Sequence, residues 1–290
     1  MAWLETRHIT LGAFDTYLED LAAKLSDPNT DRAALCRELL AQFLYGTTYT
    51  ELEARLPWVA LNLDPNNVLL EAEHYQVLDK VKFAKVKPLL WLWYNFDLSP
   101  AAHNMAFGIA FRQVLGQHIF KHCGANLKIF PGVQFSVGYN LNIADDVVIH
   151  RHVFIDDIGG VTLHNHVSIS DYANIYSHTH SPLESSDVTL KHTTIGAGAR
   201  ITYHATVLAG STISDDAIVG TMSLVTKDIE PHTIAYGIPA QPRREKVRPP
   251  MPIQVDSRVF VRPDDHQGNP DYPVANTNNH TRAIKTLVSR

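Results

Sequence analysis

Cysteine is scarce. Only Cys36 and Cys123 occur in 290 residues, far apart and in no metal-type spacing. A disulfide framework or a zinc knuckle is thereby excluded, and a reducing cytoplasm is the expected compartment. A long apolar run is also missing. The most apolar stretch, Pro88 to Tyr94, is far shorter than the roughly 20 residues that span a bilayer. The first residues, MAWLETRHITLGAFDTYLEDL, carry early charges and no apolar core of signal type, so no secretory signal is expected. An excess of basic charge is absent too. Lys and Arg number 25 against 30 Asp and Glu, a net charge of −5, which argues against a nucleic-acid partner.

What remains is an ordinary globular composition, 45% hydrophobic, with one outlier: 16 histidines, half of them between His150 and His204. Residues 1–125 read as α-helical. Tyr17, Leu18, Leu21 and Leu25, then Leu35, Leu39, Leu40, Phe43 and Leu44, recur at three- and four-residue steps. Asp31 marks a helix start, and Pro57, Pro65, Pro88 and Pro100 are expected to cut the region into short segments. The last segment runs from Ala101 to His122.

From about residue 126 the period changes. Ile195, Ile201, Val207, Ile213, Val219 and Val225 stand at strict six-residue steps, and a small residue follows each of the first five at the fourth place: Ala199, Ala205, Ser211, Ala217, Ser223. Ile143, Ile149, Ile155, Leu163, Ile169 and Ile175 keep the same step with one two-residue interruption. Neither a helix nor an alternating strand holds one face at period six. Short extended rungs joined by corners do, and three rungs make one turn of a triangular coil whose interior the aliphatics fill. The period breaks after Ile175, where Tyr176–Glu184 leaves the solenoid before the repeat resumes at Thr194. A polar loop leaving a regular scaffold is a natural place for chemistry.

On these residues the stretch 129–246 resembles the hexapeptide-repeat acyltransferases, and most closely the maltose, galactoside and nodulation-factor O-acetyltransferases. The resemblance, which does not extend to the first 125 residues or the last 44, implies a left-handed parallel β-helix at 126–236 with a cap at 237–246; with the helical reading of 1–125 the fold class expected is α+β, mainly β. The resemblance also implies a homotrimer with active sites between neighbouring prisms, acetyl-CoA as cosubstrate, a hydroxyl acceptor of sugar or glycan type, and no metal. Residues 247–290, rich in Pro, Asn and Asp, are expected to form an extended arm or tail.

Carried over position by position, the resemblance makes His180 the catalytic base, with Ser181 intervening where the family has His-Pro. An imidazole suits that role because its ordinary pKa, about 6.5, lets it accept a hydroxyl proton near neutral pH. Thr226 and Lys227 fall on the family's Thr-Lys pair beside the coenzyme, and Arg244 on a basic residue past the Gly-x-Pro-Ala turn. Tyr203 falls near the thiol end, where a small polar residue is usual. On the acceptor side His150 replaces an asparagine, the acidic partner falls at Asp156-Asp157 (Asp157 taken), and His178 is the competing histidine. His152, His164 and His166 are expected at solvent-facing corners.

Three other readings stand beside this one. A γ-type carbonic anhydrase needs histidines after Ile195-Gly196 and five residues on, where Ala197 and Thr202 stand. Serine acetyltransferase needs an Asp-His pair in an early rung, where Asp156-Asp157 is followed by Ile158. A non-catalytic β-helix scaffold needs neither the loop histidine nor the Thr-Lys pair.

Overall fold

The computed structural model describes residues 8–184 and 187–246. Residues 7–244 form one compact unit; of the other, which takes in 1–6 and 245–290, only 245 and 246 are described. The arm or tail expected at 247–290 lies outside the described residues.

Among the described residues seven α-helices come first: α1 (His8–Ser26), α2 (Arg32–Tyr45), α3 (Tyr49–Arg55), α4 (Pro57–Leu63), α5 (Lys80–Phe96), α6 (Pro100–His103) and α7 (Met105–Ile119). Asp31 caps α2 by accepting from the amides of Ala33 and Ala34, and Pro57 and Pro100 open α4 and α6, where a missing N–H costs nothing. Pro88 departs from expectation, because α5 runs straight through it. An internal proline costs a helix about 3 kcal/mol. Here Leu89, Leu90, Leu92, Trp93 and Phe96 follow it, all buried, and each contributes roughly 1.5–3 kcal/mol of burial. Packing outweighs the lost hydrogen bond. The segment expected at Ala101–His122 is likewise divided, breaking at Asn104 and ending at Ile119.

The strands then wind in triangular coils. The first coil is β1 (His122–Cys123), β2 (Lys128–Ile129) and β3 (Gln134–Phe135); the second β4 (Leu141–Ile143), β5 (Val148–Ile149) and β6 (Phe154–Ile155); the third β7 (Val161–Leu163), β8 (Ser168–Ile169) and β9 (Asn174–Ile175). A hairpin follows, β10 (His178–His180) and β11 (Val188–Leu190). The fourth coil is β12 (Thr193–Ile195), β13 (Arg200–Ile201) and β14 (Thr206–Val207), the fifth β15 (Thr212–Ile213), β16 (Ile218–Val219) and β17 (Leu224–Val225), and β18 (Thr233–Gly237) and β19 (Ala240–Glu245) close the end. Among the described residues the coil strands pair in parallel from turn to turn and stack into three sheets. Sheet A stacks β1-β4-β7-β12-β15, sheet B runs β19-β18-β16-β13-β8-β5-β2, and sheet C runs β17-β14-β9-β6-β3.

The period-six aliphatics from Ile143 to Val225 fill the interior, all at 0% exposure, and the small residues at the fourth place are buried beside them. The residue just before the fourth place turns the corner in left-handed conformation: Asp146, His152, His166, Tyr172, His204, Asp216 and Met222 have φ between 57° and 62°, and Gly198 and Gly210 take the same position at 69° and 84°. Asn, Asp and His tolerate that region better than other side-chain-bearing residues. Turn geometry therefore employs several of the surplus histidines.

Coil length is not uniform. In sheet A the stacked residues His122, Asn142, Thr162, Thr194 and Thr212 succeed one another after 20, 20, 32 and 18 residues. The extra residues collect at the corner from sheet C to sheet A. In the second coil Asp157, fully buried, braces that widened corner by accepting from the amides of Val137 (2.8 Å) and Asn140 (3.3 Å). In the third coil the same corner lets out the β10–β11 hairpin.

The helices cover the open end of the first coil. Trp93 Nε1 donates to Val133 O (2.8 Å), Tyr94 Oη donates to Phe135 O, and Asp97 pairs with buried Arg112 while accepting from Gly132 N (2.6 Å). The core is continuous from helices to solenoid.

Candidate active site

Because the coils are in register, the residues following Phe135, Ile155, Ile175, Val207 and Val225 stack at one edge of sheet C: Ser136, Asp156, Tyr176, Leu208 and Thr226. This column forms one wall of a cavity of about 770 Å³. The hairpin supplies a second wall through His178, Thr179 and His180, with Lys191 at its base. The third wall comes from the N-terminal region, through Glu71 and Tyr75.

One interaction organises the hairpin. Asp156, 1% exposed, holds the Nδ1 of His178 at 2.6 Å through Oδ2. The same oxygen accepts from the amides of Ser177 (3.0 Å) and His178 (3.1 Å), while Oδ1 accepts from Ser136 Oγ (3.2 Å) and Ile158 N (3.3 Å). With Nδ1–H donated to the carboxylate, Nε2 carries the lone pair. The sequence has no adjacent Asp-His pair in this rung; the fold makes one from residues on successive coils. His180 stands beside it, the two rings edge to face at 5.1 Å, and is more exposed. Tyr75 touches both, at 5.2 Å from His178 and 6.2 Å from His180.

The other expected site residues divide. His178, His180 and Thr226 come together in the cavity, and Asp156 joins them where Asp157 was taken for the acidic partner. Asp157 points inward beneath the corner, and burial pushes its carboxyl up to about 6. His150 lies at an edge of sheet B, stacked on Phe130 at 5.0 Å, where burial lowers its pKa. Tyr203 is on the corner after sheet B, edge to face with Tyr172 and His204. Lys227 and Arg244 are exposed at the far end of the prism. None of these last four lines the cavity. Glu71 and Tyr75 went unforeseen, since no period links them to the repeat. Asp156 could have been found by extending the column that contains Thr226.

Among the described residues no group of three or more His, Cys, Asp or Glu is placed to hold a metal, and no helix is long and apolar enough to cross a membrane.

No family model matches the chain. Galactoside O-acetyltransferase of Escherichia coli (strain K12) is 29% identical over 158 residues, which is 53% of this chain and 75% of that protein. A solved galactoside acetyltransferase in complex with coenzyme A superposes with a TM-score of 0.51 at 27% identity, covering 57% of this chain and 80% of that one. The homologues and structural neighbours of this chain thus include hexapeptide-repeat O-acetyltransferases. A maltose O-acetyltransferase from Clostridium difficile 630 shares the fold, with a TM-score of 0.51 at 21% identity over 62% of this chain and 98% of its own. The fold shared with these O-acetyltransferases is the left-handed parallel β-helix preceded by helices, here about six turns long. Kinship with hexapeptide-repeat O-acetyltransferases supports an acyltransferase that uses acetyl-CoA.

Proposed function

We propose that this chain moves the acetyl group of acetyl-CoA to a hydroxyl of a sugar or glycan-like acceptor, as a cytoplasmic homotrimer, with the Asp156-oriented His178 as general base. The observation that carries the reading is the Asp156–His178 pair at the wall of the cavity. Nε2 of His178 takes the hydroxyl proton as the acceptor oxygen attacks the thioester carbonyl. The negative carboxylate stabilises the imidazolium that forms. The tetrahedral adduct then collapses, the carbon–sulfur bond breaks, and the proton leaves with the coenzyme thiol.

His180 is the second candidate, supported by its place in the loop and on the cavity wall. Thr226 borders the cavity and leads to Lys227, and with Arg244 these residues are assigned to the coenzyme. His150 and Tyr203 occupy another edge of the same prism, so a part for them in the reaction requires a neighbouring copy.

The test is thiol release from acetyl-CoA across a panel of hydroxylated acceptors, for His178→Ala and His180→Ala. Removing the base lowers turnover by about 10²–10⁴-fold. That loss is expected for His178→Ala, with less than about tenfold for His180→Ala. The reverse order moves the base to His180, and near-normal turnover in both variants overturns the reading.

A further inference from the structure

We infer that Glu71 and Tyr75, from the helical N-terminal region, are the residues that select the acceptor: Glu71 by accepting hydrogen bonds from its hydroxyls, Tyr75 by packing on its ring. This assignment rests on the sugar O-acetyltransferase reading of the same cavity.

Among the described residues two carboxylates border the cavity, and one of them is available to a ligand. Asp156 is saturated, with five donors on its two oxygens and 1% exposure. Glu71 is exposed on the cavity wall and makes no hydrogen bond or ion pair among the described residues. A carboxylate with unused acceptor capacity on the wall of the cavity, beside the proposed base, fits a neutral acceptor with several hydroxyl donors, since each carboxylate oxygen accepts more than one bond. A planar ring beside it suits the apolar face of a pyranose, and Tyr75 presents such a ring where it meets both histidines.

The segment that carries them is firmly held. Glu71 and Tyr75 flank and begin a short 3-10 turn, Glu71–His74. Glu73 accepts from Leu70 N (2.9 Å) and pairs with Lys87 of α5 (2.8 Å), whose Nζ also donates to Val68 O (2.7 Å). Further on, Asp79 N donates to Tyr139 Oη (3.2 Å). The turn is thus tied to α5 on one side and to the C-to-A corner of the first coil on the other. Selecting groups need that kind of support to discriminate between hydroxyl patterns.

The experiment compares the full-length wild type with Glu71→Gln, Tyr75→Phe and Tyr75→Ala, using the best sugar acceptor of the panel and its mono-deoxy analogues. Glu71→Gln is expected to raise the acceptor KM by roughly 10- to 100-fold, the effect of losing charge-assisted hydrogen bonds, with acetyl-CoA KM within about twofold. A deoxy analogue penalised by the wild type should lose nothing further in Glu71→Gln. Tyr75→Phe should stay near wild type, and Tyr75→Ala should raise acceptor KM about three- to tenfold. An active wild type with unchanged acceptor KM in Glu71→Gln, or a shift in acetyl-CoA KM instead, overturns the assignment alone. A wild type that acetylates no hydroxylated acceptor overturns the functional reading and the assignment with it.

Discussion

Asp156→Asn is the most searching perturbation of the site, because it changes charge while keeping shape. The carboxylate meets five donors: three N–H groups on Oδ2, a hydroxyl and a weaker N–H on Oδ1. A carboxamide has one acceptor and one donor end. Its less costly orientation keeps the oxygen on the three N–H groups and turns the NH2 toward Ser136 Oγ, which can reverse its hydroxyl to accept. The bond to Nδ1 then survives but is no longer charge-assisted, a loss of about 1–2 kcal/mol. That sets a floor near tenfold on kcat, since about 1.4 kcal/mol corresponds to tenfold. In the opposite orientation the NH2 faces Nδ1 and forces the other tautomer, for which a fall of about 10⁴-fold is the expected scale. The prediction is a kcat reduced between tenfold and about 10⁴-fold, an acetyl-CoA KM within about twofold, and a folded protein destabilised by about 1–3 kcal/mol. Steady-state thiol release and a urea titration measure these. The neighbouring Asp157→Asn is the control, because that side chain faces away from the cavity. A kcat for Asp156→Asn within threefold of wild type would refute the dyad.

Three further outcomes follow from the same structure. Ile201, fully buried between Ile169 and Val219, should cost about 2–5 kcal/mol when cut to Ala, measured by denaturant unfolding; a change below about 0.5 kcal/mol would contradict a close-packed interior. Lys227→Ala and Arg244→Ala should each raise acetyl-CoA KM with acceptor KM unmoved, and an unchanged acetyl-CoA KM removes them from the coenzyme site. Asp157 has a folded pKa of about 6 against an unfolded value of about 3.9, so its contribution to stability is full below pH 4 and is lost as pH rises through 6. Relative to Asp157→Asn, the wild type should therefore lose up to roughly 3 kcal/mol between pH 4 and pH 8, and parallel stability curves for the two proteins would show that the carboxyl is not so perturbed.

The solenoid was legible because its interior repeats: each aliphatic from Ile143 to Val225 meets the same neighbours one coil above and below, so period alone announces the fold. The site was legible only where it shares that period. Thr226 and the loop histidines border one cavity, and counting rungs brings them to the same edge. Counting also reached the Asp156-Asp157 pair, but the choice between them turns on which side of the wall each carboxylate faces, a matter of one residue at a widened corner. Pro88 misled because local propensity is overruled when five following side chains are buried. Glu71 and Tyr75 left no periodic trace: long-range ties such as Glu73 to Lys87 and Asp79 to Tyr139 place them, and neither tie has a local sequence signature.

The uneven coil spacing along sheet A bears on how such a molecule can change. An insertion within a rung, or at either of the other two corners, would shift every later aliphatic off the interior and unpair all three sheets. At the passage from sheet C to sheet A the chain already accommodates 18, 20 and 32 residues per turn with the ladders intact. That edge is where length is free to vary, and it is also where the β10–β11 hairpin carrying His178 and His180 emerges. New acceptor preferences are therefore most accessible by lengthening or shortening segments there, and loop grafts at that edge should fold where equal grafts elsewhere fail.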